Sequence, residues 1–130
     1  MSAVIGGFGG SKSIESISTN GTTKQHEPGY PHDIHSYSLV AINRTTVMII
    51  GGAGTERIGD KTYYYNGKEF SKGPDLITGR YYHASGLLRD KETNEEYIAV
   101  VGGYEAGTFN QLDSLELLKI GDNKWKLGIF

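Results

Sequence analysis

An apolar run that ends in two glycines occurs three times along the 130-residue chain. The two longer copies are 47–52 (VMIIGG) and 98–103 (IAVVGG), and a shorter copy, 3–7 (AVIGG), lies near the N-terminus. Their first glycines, Gly6, Gly51 and Gly102, are 45 and 51 residues apart. A repeat of this length predicts that the chain consists of copies of one supersecondary unit. Because the run in the second unit is apolar on both faces, we expect the strand at 45–52 to be buried on both faces.

Short apolar or alternating segments surround each run and have the pattern of β-strands. They span 36–42, 45–52, 61–66 and 68–71 in the second unit, and 81–88, 96–103, 114–120 and 124–128 in the third. The first unit has weaker segments at 3–7 and 13–18 and a short one that ends at Gln25. No stretch of ten or more residues keeps helical periodicity. The sequence therefore predicts an all-β fold with four short antiparallel strands in each complete unit.

Segments with turn-forming residues separate the units. Residues 27–33 (EPGYPHD) contain two prolines and a glycine, and Gly73-Pro74 ends the second unit. We place a partial unit at 1–27, a complete unit at 32–75 and a further complete unit at 80–128.

Composition excludes several classes of protein. The net charge is −2 with mixed signs and no basic stripe, which argues against a nucleic-acid or anionic-membrane partner. The absence of cysteine removes disulfides, thiolate metal sites and cysteine nucleophiles. No apolar run approaches the roughly 20 residues of a membrane-spanning helix. The N-terminus shows no signal-peptide pattern, and the compartment is left open.

Four features recur in a fixed order within the units. A His or Arg followed three residues later by His comes first, at His32 with His35 and at Arg80 with His83. The glycine pair follows, then an aromatic or apolar residue, then a large aromatic. The repeat residues are Gly6, Gly7, Gly51, Gly52, Gly102, Gly103, Tyr65, Phe70 and Trp125. This ordered set resembles the kelch repeat, the blade of a β-propeller. Leu118 and Ile17 depart from the pattern at the place of Tyr65.

The resemblance implies kelch-type blades in an incomplete ring, with two full blades and a partial one. Closed propellers typically have about 4–8 blades, so this number of units cannot close a ring. The chain would be a fragment of a longer product, a partial ring completed by self-association, or the product of an incomplete gene model. We expect a fragment, because the first unit begins at the strand that ends in the glycine pair. In the complete units this is the second of four strands.

No motif in the sequence assembles a catalytic or metal site. His32 and His35 have no further ligands close in sequence, so we interpret this pair as part of the repeat pattern rather than half of a metal site, with His35 and His83 as packing residues that form local hydrogen bonds. The glycine-rich segment 6–13 lacks both the spacing of a phosphate-binding loop and a following helix. We therefore expect no metal, no cofactor and no enzymatic activity.

The loops that follow the glycine pairs, and the connections between units, vary while the strands repeat. In a propeller with this strand order both sets emerge on one face, which is typical of a binding surface on a rigid scaffold. The resemblance implies that Arg80 contributes a guanidinium to this face for acidic peptides, with His32 able to act similarly when protonated. The alternative for Arg80 is a structural ion pair between blades. The other candidate ligand-binding residues, all in loops, are Arg57, Phe109 and Lys12.

Two clusters of tyrosine, at 63–65 and 81–82, are expected to serve blade packing and amphipathic surface, and the alternative is a protein-contact surface. The repeats, the absence of a catalytic set and the variable loops favour a non-enzymatic interaction module that binds a protein or peptide through its loop face. The alternative is a segment of a galactose-oxidase-like or carbohydrate-binding propeller. The copper and Tyr-Cys chemistry of the former cannot be carried by a segment without cysteine. A third interpretation is that the segment has no independent function.

Overall fold

The computed structural model describes residues 29–32, 34–54 and 57–129 in full, together with the backbone of three strands nearer the N-terminus. Every helix or strand in these residues is a β-strand, which confirms the all-β prediction. Within this described part, no helix is present that could cross a bilayer. The strands are β1 (Ser2–Ile5), β2 (Ile14–Ile17), β3 (Thr23–His26), β4 (Ser38–Ala41), β5 (Val47–Ile50), β6 (Thr62–Tyr65), β7 (Phe70–Lys72), β8 (Arg80–Tyr81), β9 (Ala84–Arg89), β10 (Glu96–Val101), β11 (Tyr104–Glu105), β12 (Leu115–Lys119) and β13 (Lys126–Gly128).

The strands form antiparallel sheets. The first sheet has the order β1-β2-β3, the second β4-β5-β6-β7 and the third β13-β12-β10-β9. A separate two-stranded ribbon pairs β8 with β11, and the sequence pattern does not predict it. Gly6, Gly7 and Lys12 lie outside the described residues. The described sheets do not close into a ring.

The second and third sheets share one apolar interior. It consists of Val40, Met48, Ile50, Leu76, Ile98, Val100, Leu118 and Trp125, all buried. A second cluster lies on the opposite face of the second sheet and includes Val47 and Ile49. Successive residues of β5 therefore point into different clusters, as the alternation of a strand requires. The prediction that this apolar run is buried on both faces is confirmed.

The second and third sheets have the same pairing register relative to their glycine pairs. Ile50, just before the glycine pair of the second unit, pairs with Ser38, and Val101, just before that of the third, pairs with Ala84. Upstream, His35 bridges the residue after its glycine pair, as Tyr81 does in the third unit. The residues that follow them, at 36 and 82, both have left-handed φ values, 58° and 55°.

This register corrects the expected match of His32 and His35 with Arg80 and His83. In each unit the first strand, β4 or β9, is positioned by hydrogen bonds to the strand before the glycine pair, β5 or β10. The segment that joins β4 to β5 differs in length from the one that joins β9 to β10. Ile34, rather than His32, therefore occupies the place of Arg80. Both Ile34 and Arg80 are fully buried.

The glycine pair permits close packing of successive units. Gly51 and Gly52 have φ values of 62° and 103°, in the region that favours glycine. A Cβ on Gly51 would lie 2.6 Å from the carbonyl oxygen of Arg80 and 2.9 Å from the ring of His83. The backbone of the second unit thus touches the start of the third.

The remaining repeat residues pack at equivalent places. Tyr65 and Leu118 are the buried residues that pair, respectively, with Val47 and Ile98. Phe70 stacks on Tyr65 with ring centroids 4.5 Å apart. In the third sheet, Trp125 is buried in the shared interior and its indole Nε1–H donates to the carbonyl oxygen of Pro74 at 3.0 Å.

Candidate functional site

Loops from both complete units line one cleft of about 770 Å³, here called the loop-side cleft. One wall comes from the loop after Gly51-Gly52, and the other from residues 106–109 of the loop after Gly102-Gly103. Residues 77–82, which connect the units, complete it. The expected convergence of loops and connection on one face is therefore present in the second and third units. The lining residues are His35, Gly52, Ala53, Gly54, Arg57, Ile58, Gly59, Asp60, Ile77, Gly79, Tyr81, Tyr82, Ala106, Gly107, Thr108 and Phe109.

Four aromatic rings form a cluster, and three of them, Tyr81, Tyr82 and Phe109, line this cleft. Tyr81 stacks on Tyr104 with ring centroids 5.8 Å apart, through the pairing of β8 with β11. Tyr82 lies 5.3 Å from Tyr81, and Phe109 meets Tyr81 edge-on at 6.4 Å. Such stacked and edge-on pairs are favourable beyond their buried area. We call these four residues the aromatic cluster.

Two members of the aromatic cluster are held in exposed positions by unusual backbone. Tyr82 is 62% exposed and Phe109 is 72% exposed. Their φ values, 55° and 61°, are in the left-handed region, which is uncommon for a bulky residue. The Tyr82 N–H donates to the carbonyl oxygen of Ser36, and the Phe109 N–H donates to that of Glu105. Ser36 has the same backbone conformation in the second unit, so the repeat itself directs the ring of Tyr82 outward.

The charged side chains around the cleft are of both signs. Arg57 is exposed on the lining, and Asp60 lies on the same wall. Lys61 is 3.8 Å from Asp60 but closer to Asp75, at 3.1 Å. Hydrogen bonds from Lys72 and then Lys61 hold the pKa of Asp75 below its usual value. Lys61 therefore interacts with carboxylates rather than adding a separate positive charge to the cleft.

Arg80, expected to face a ligand, has no exposed surface. Its guanidinium donates to the Glu116 carboxylate at 2.6 Å and to the carbonyl oxygens of Gly102 and Ser114. The structural ion pair considered as the alternative is therefore the arrangement observed. It lies within the third unit, because both partners belong to 80–128, rather than between units.

The Arg80–Glu116 pair fixes the connection beneath the cleft. Glu116 accepts the backbone N–H groups of Ile77 and Thr78 at 2.7 and 3.1 Å. The backbone of Arg80 joins the second unit, where its N–H donates to Gly59 and its carbonyl accepts from Gly52. Since the pair is fully buried and its charges are matched, it positions the cleft without contributing charge to its surface.

The other candidate ligand-binding residues divide between two places. Arg57 and Phe109 both line the cleft, as their selection as exposed loop residues anticipated. His32 is half-buried elsewhere, with Nε2 3.0 Å from the hydroxyl of Tyr63, so it does not line this cleft. Lys12 lies outside the described residues.

Sequence reasoning did not select Ile77, Tyr104 or Glu116. The tyrosine pair at 81–82 was available as a signal for the aromatic cluster, but its partner Tyr104 is in a loop without periodicity. Glu116 had a clearer signal. It lies two residues before the core position Leu118 in an alternating strand, and that spacing places both side chains on one face.

His83 forms a polar contact between the second and third units. Its Nε2 is 2.7 Å from Ser38 Oγ and 3.0 Å from the carbonyl oxygen of Ile50. Burial lowers the pKa of His83 to about 4. Because Nδ1 is buried without a protein partner, placing the single proton on Nε2 satisfies the carbonyl and leaves no unpaired N–H. A His83 in this tautomer cannot accept the Ser38 proton, so the pair is structural.

Metal binding and family assignment receive no positive support. Among the described residues, no three His, Asp or Glu side chains converge in a manner that could hold a metal ion. No family model matches the sequence, and no curated protein matches it either. The functional assignment therefore depends on the geometry of the loop-side cleft.

Proposed function

We propose that the chain is part of a kelch-type β-propeller in which the second and third sheets are neighbouring blades. Three observations support this assignment. Both sheets have four antiparallel strands, and the strands pair in the same register relative to the glycine pair. The glycine pairs have positive φ, and the two sheets share an apolar interior. Repetition of such sheets around an axis is the architecture of a propeller.

We propose further that this part of the propeller is a non-enzymatic module that binds a protein or peptide in the loop-side cleft. The observation that carries the proposal is the convergence of loops from two successive units on a cleft whose most exposed large apolar side chains, Phe109 and Tyr82, are aromatic. Exposed Tyr and Phe on a rigid frame supply large contact areas at a small entropic cost, and protein-binding surfaces are enriched in them.

The frame beneath the cleft suits this function. The connection that carries Ile77 and Tyr81 is held by the buried Arg80–Glu116 pair and by backbone bonds to both units. A binding surface on a fixed backbone loses little conformational freedom when its ligand arrives.

The test is a peptide screen that compares the chain with a variant lacking the two exposed aromatic rings of the cleft. The 130-residue chain and its Tyr82→Asn/Phe109→Asn variant are each incubated with one arrayed library of random peptides of about 12 residues, which span up to about 40 Å when extended. Asn tolerates the left-handed backbone, so the substitutions remove the rings at little cost to folding. We expect peptides that bind the chain and are lost with the variant.

The screen rejects binding in this cleft if no peptide is retained, or if every retained peptide binds the variant equally well. Thermal unfolding of both proteins confirms that the comparison is between folded chains.

Carbohydrate binding is the second candidate, and the exposed rings of Tyr82 and Phe109 are the observation that favours it, because sugar rings stack on such surfaces. The same two proteins on an arrayed set of neutral oligosaccharides test it. Ring-dependent retention of an oligosaccharide, with no ring-dependent peptide, would replace the first proposal with this one.

A further inference from the structure

The charges around the loop-side cleft indicate which peptides it takes. We infer that its ligand is an extended peptide segment without net charge, whose apolar or aromatic side chains lie against the rings of Tyr82 and Phe109. This inference rests on the proposed peptide-binding function and narrows it. It differs from the acidic ligand that the sequence resemblance implies.

Arg80, whose guanidinium the sequence resemblance assigns to acidic peptides, makes only internal contacts. All the hydrogen bonds that the Arg80 guanidinium makes are internal: to Glu116, to both the carbonyl and hydroxyl oxygens of Ser114, and to the carbonyls of Gly102 and Thr78. Breaking a buried, hydrogen-bonded ion pair leaves both charges desolvated and unpaired, which is strongly unfavourable. Arg80 is therefore not available to an acidic side chain in the cleft.

The second step is the balance of the remaining charges. Among the described lining residues, Arg57 is the one Arg or Lys side chain and Asp60 is the one Asp or Glu side chain. Both lie on the wall formed by the loop of the second unit. A ligand with several like charges would gain attraction from one of these groups and repulsion from the other, so the described lining residues carry no excess of one charge that would favour an acidic or a basic peptide.

The third step is the chemistry of the opposite wall. Ile77 is 52% exposed, and together with Tyr82 and Phe109 it provides the exposed large apolar side chains that line the cleft. A carboxylate held against these side chains would lose water without gaining a donor. An apolar side chain in the same place removes apolar surface of both partners from water, at about 25 cal/mol per Å². The wall therefore selects apolar side chains and excludes charged ones.

The distinguishing measurement uses a peptide library sorted by net charge, from strongly acidic to strongly basic, on the intact 130-residue chain. We expect the ring-dependent peptides to centre on zero net charge and to be enriched in aromatic residues, Leu and Pro. A ring-dependent set enriched in Asp and Glu would overturn the inference about the ligand.

Affinity measurements on a selected peptide separate the two contributions. Tyr82→Asn and Phe109→Asn should each weaken binding about tenfold, as expected for an aromatic anchor worth roughly 1.4 kcal/mol. Arg57→Gln, an exposed substitution in the same cleft, should change the affinity less than about twofold. Raising the ionic strength from about 0.05 to 0.5 M should also change it less than about twofold, because screening weakens only charged contacts.

The two proposals fail in different ways. If no peptide is lost with the ring variants, peptide binding in this cleft is wrong. If peptides are lost with them but are acidic, weaken in salt and depend more on Arg57 than on Tyr82, peptide binding stands and the uncharged ligand is wrong.

Discussion

The second and third sheets have the same strand register but fill one buried place with different chemistry. In the second unit that place holds Ile34, and in the third it holds Arg80, each with 0% of its surface exposed. The residue at the equivalent place on the adjacent strand also differs. It is Tyr63, opposite Ile49, in the second sheet and Glu116, opposite Val100, in the third. One backbone geometry therefore accommodates either apolar packing or a buried ion pair.

This difference shows how a repeat can keep its fold while changing its role. A buried ion pair costs desolvation that an apolar side chain does not, and it is tolerated when every hydrogen bond is made. In the third unit Glu116 receives both the guanidinium and two backbone N–H groups of the connection. The pair thus anchors a connection at the floor of the cleft, which Ile34 cannot do by packing alone.

The largest expected effect comes from breaking this pair on one side. Glu116→Ala should lower the free energy of unfolding by about 3–5 kcal/mol, because Arg80 would remain buried without a counter-charge. Replacing both residues by those of the second unit, Arg80→Ile with Glu116→Tyr, should cost less than the sum of the single changes. Urea unfolding measures both, and Arg89→Met, which removes an exposed pair with Glu96, is the control that should change stability much less.

A nearly neutral Glu116→Ala, or additive single and double changes, would show that the two residues are not coupled. The equivalence of the two units would then be geometric only.

The outer aromatics provide the next comparison. Trp125 is buried between the second and third sheets, whereas Phe70, at the equivalent place, is half-buried. Trp125→Ala should cost about 3–5 kcal/mol because it leaves a large cavity in the shared interior, and Phe70→Ala should cost less. Thermal unfolding of the two variants tests the order, and the reverse order would contradict the assignment of Trp125 to that interior.

The third difference is at His83, which occupies the place of Tyr37 of the second unit and makes the stability of the chain depend on pH. The pKa of His83 is about 4 in the folded chain, below its ordinary value of 6.5, so the unfolded chain binds more protons between these values. Stability should therefore rise from pH 4 to pH 6.5, by no more than about 3 kcal/mol, and level off above. Urea unfolding across this range measures the slope.

His83→Gln should remove most of that slope. An unchanged slope in His83→Gln would assign the pH dependence to another group.

The smallest effect distinguishes the two glycine pairs. Gly51 and Gly102 both have left-handed φ, so alanine is strained by roughly 1–2 kcal/mol at either. At Gly51 the added Cβ would also meet the carbonyl oxygen of Arg80 at 2.6 Å, whereas at Gly102 the nearest atom is 3.7 Å away. Gly51→Ala should therefore destabilise more than Gly102→Ala in urea unfolding, and equal losses would contradict close contact between the units.

The strands and the residues of the buried apolar clusters could be predicted because they follow from local sequence patterns. The apolar run 47–50 before a glycine pair indicates a strand buried on both faces, and the order of the repeat places Leu118 at the position of Tyr65. The place of Arg80 could not be predicted in the same way, because it depends on pairing between segments separated by loops of unequal length. A three-residue spacing to the next histidine matched His32 to Arg80 in sequence, while the hydrogen bonds match Ile34 to it.

The cleft was predictable in outline and not in detail. Repeated strand order implies that the loops of successive units lie on one side, and Arg57 and Phe109 do line one cleft. The positive φ of Tyr82 and the stacking of Tyr104 arise from the β8–β11 ribbon, and no periodicity in the sequence marks that ribbon.

The second and third sheets pack into one body through their shared interior, and their loops form the loop-side cleft. Amide hydrogen exchange across the 130-residue chain tests it most directly, because it resolves the opening of individual strands. Since β5 and β10 share one interior, their amides should show the same opening free energy, and Trp125→Phe should lower both together. Protected β10 amides beside fully exchanging β5 amides, or the reverse, would contradict the account.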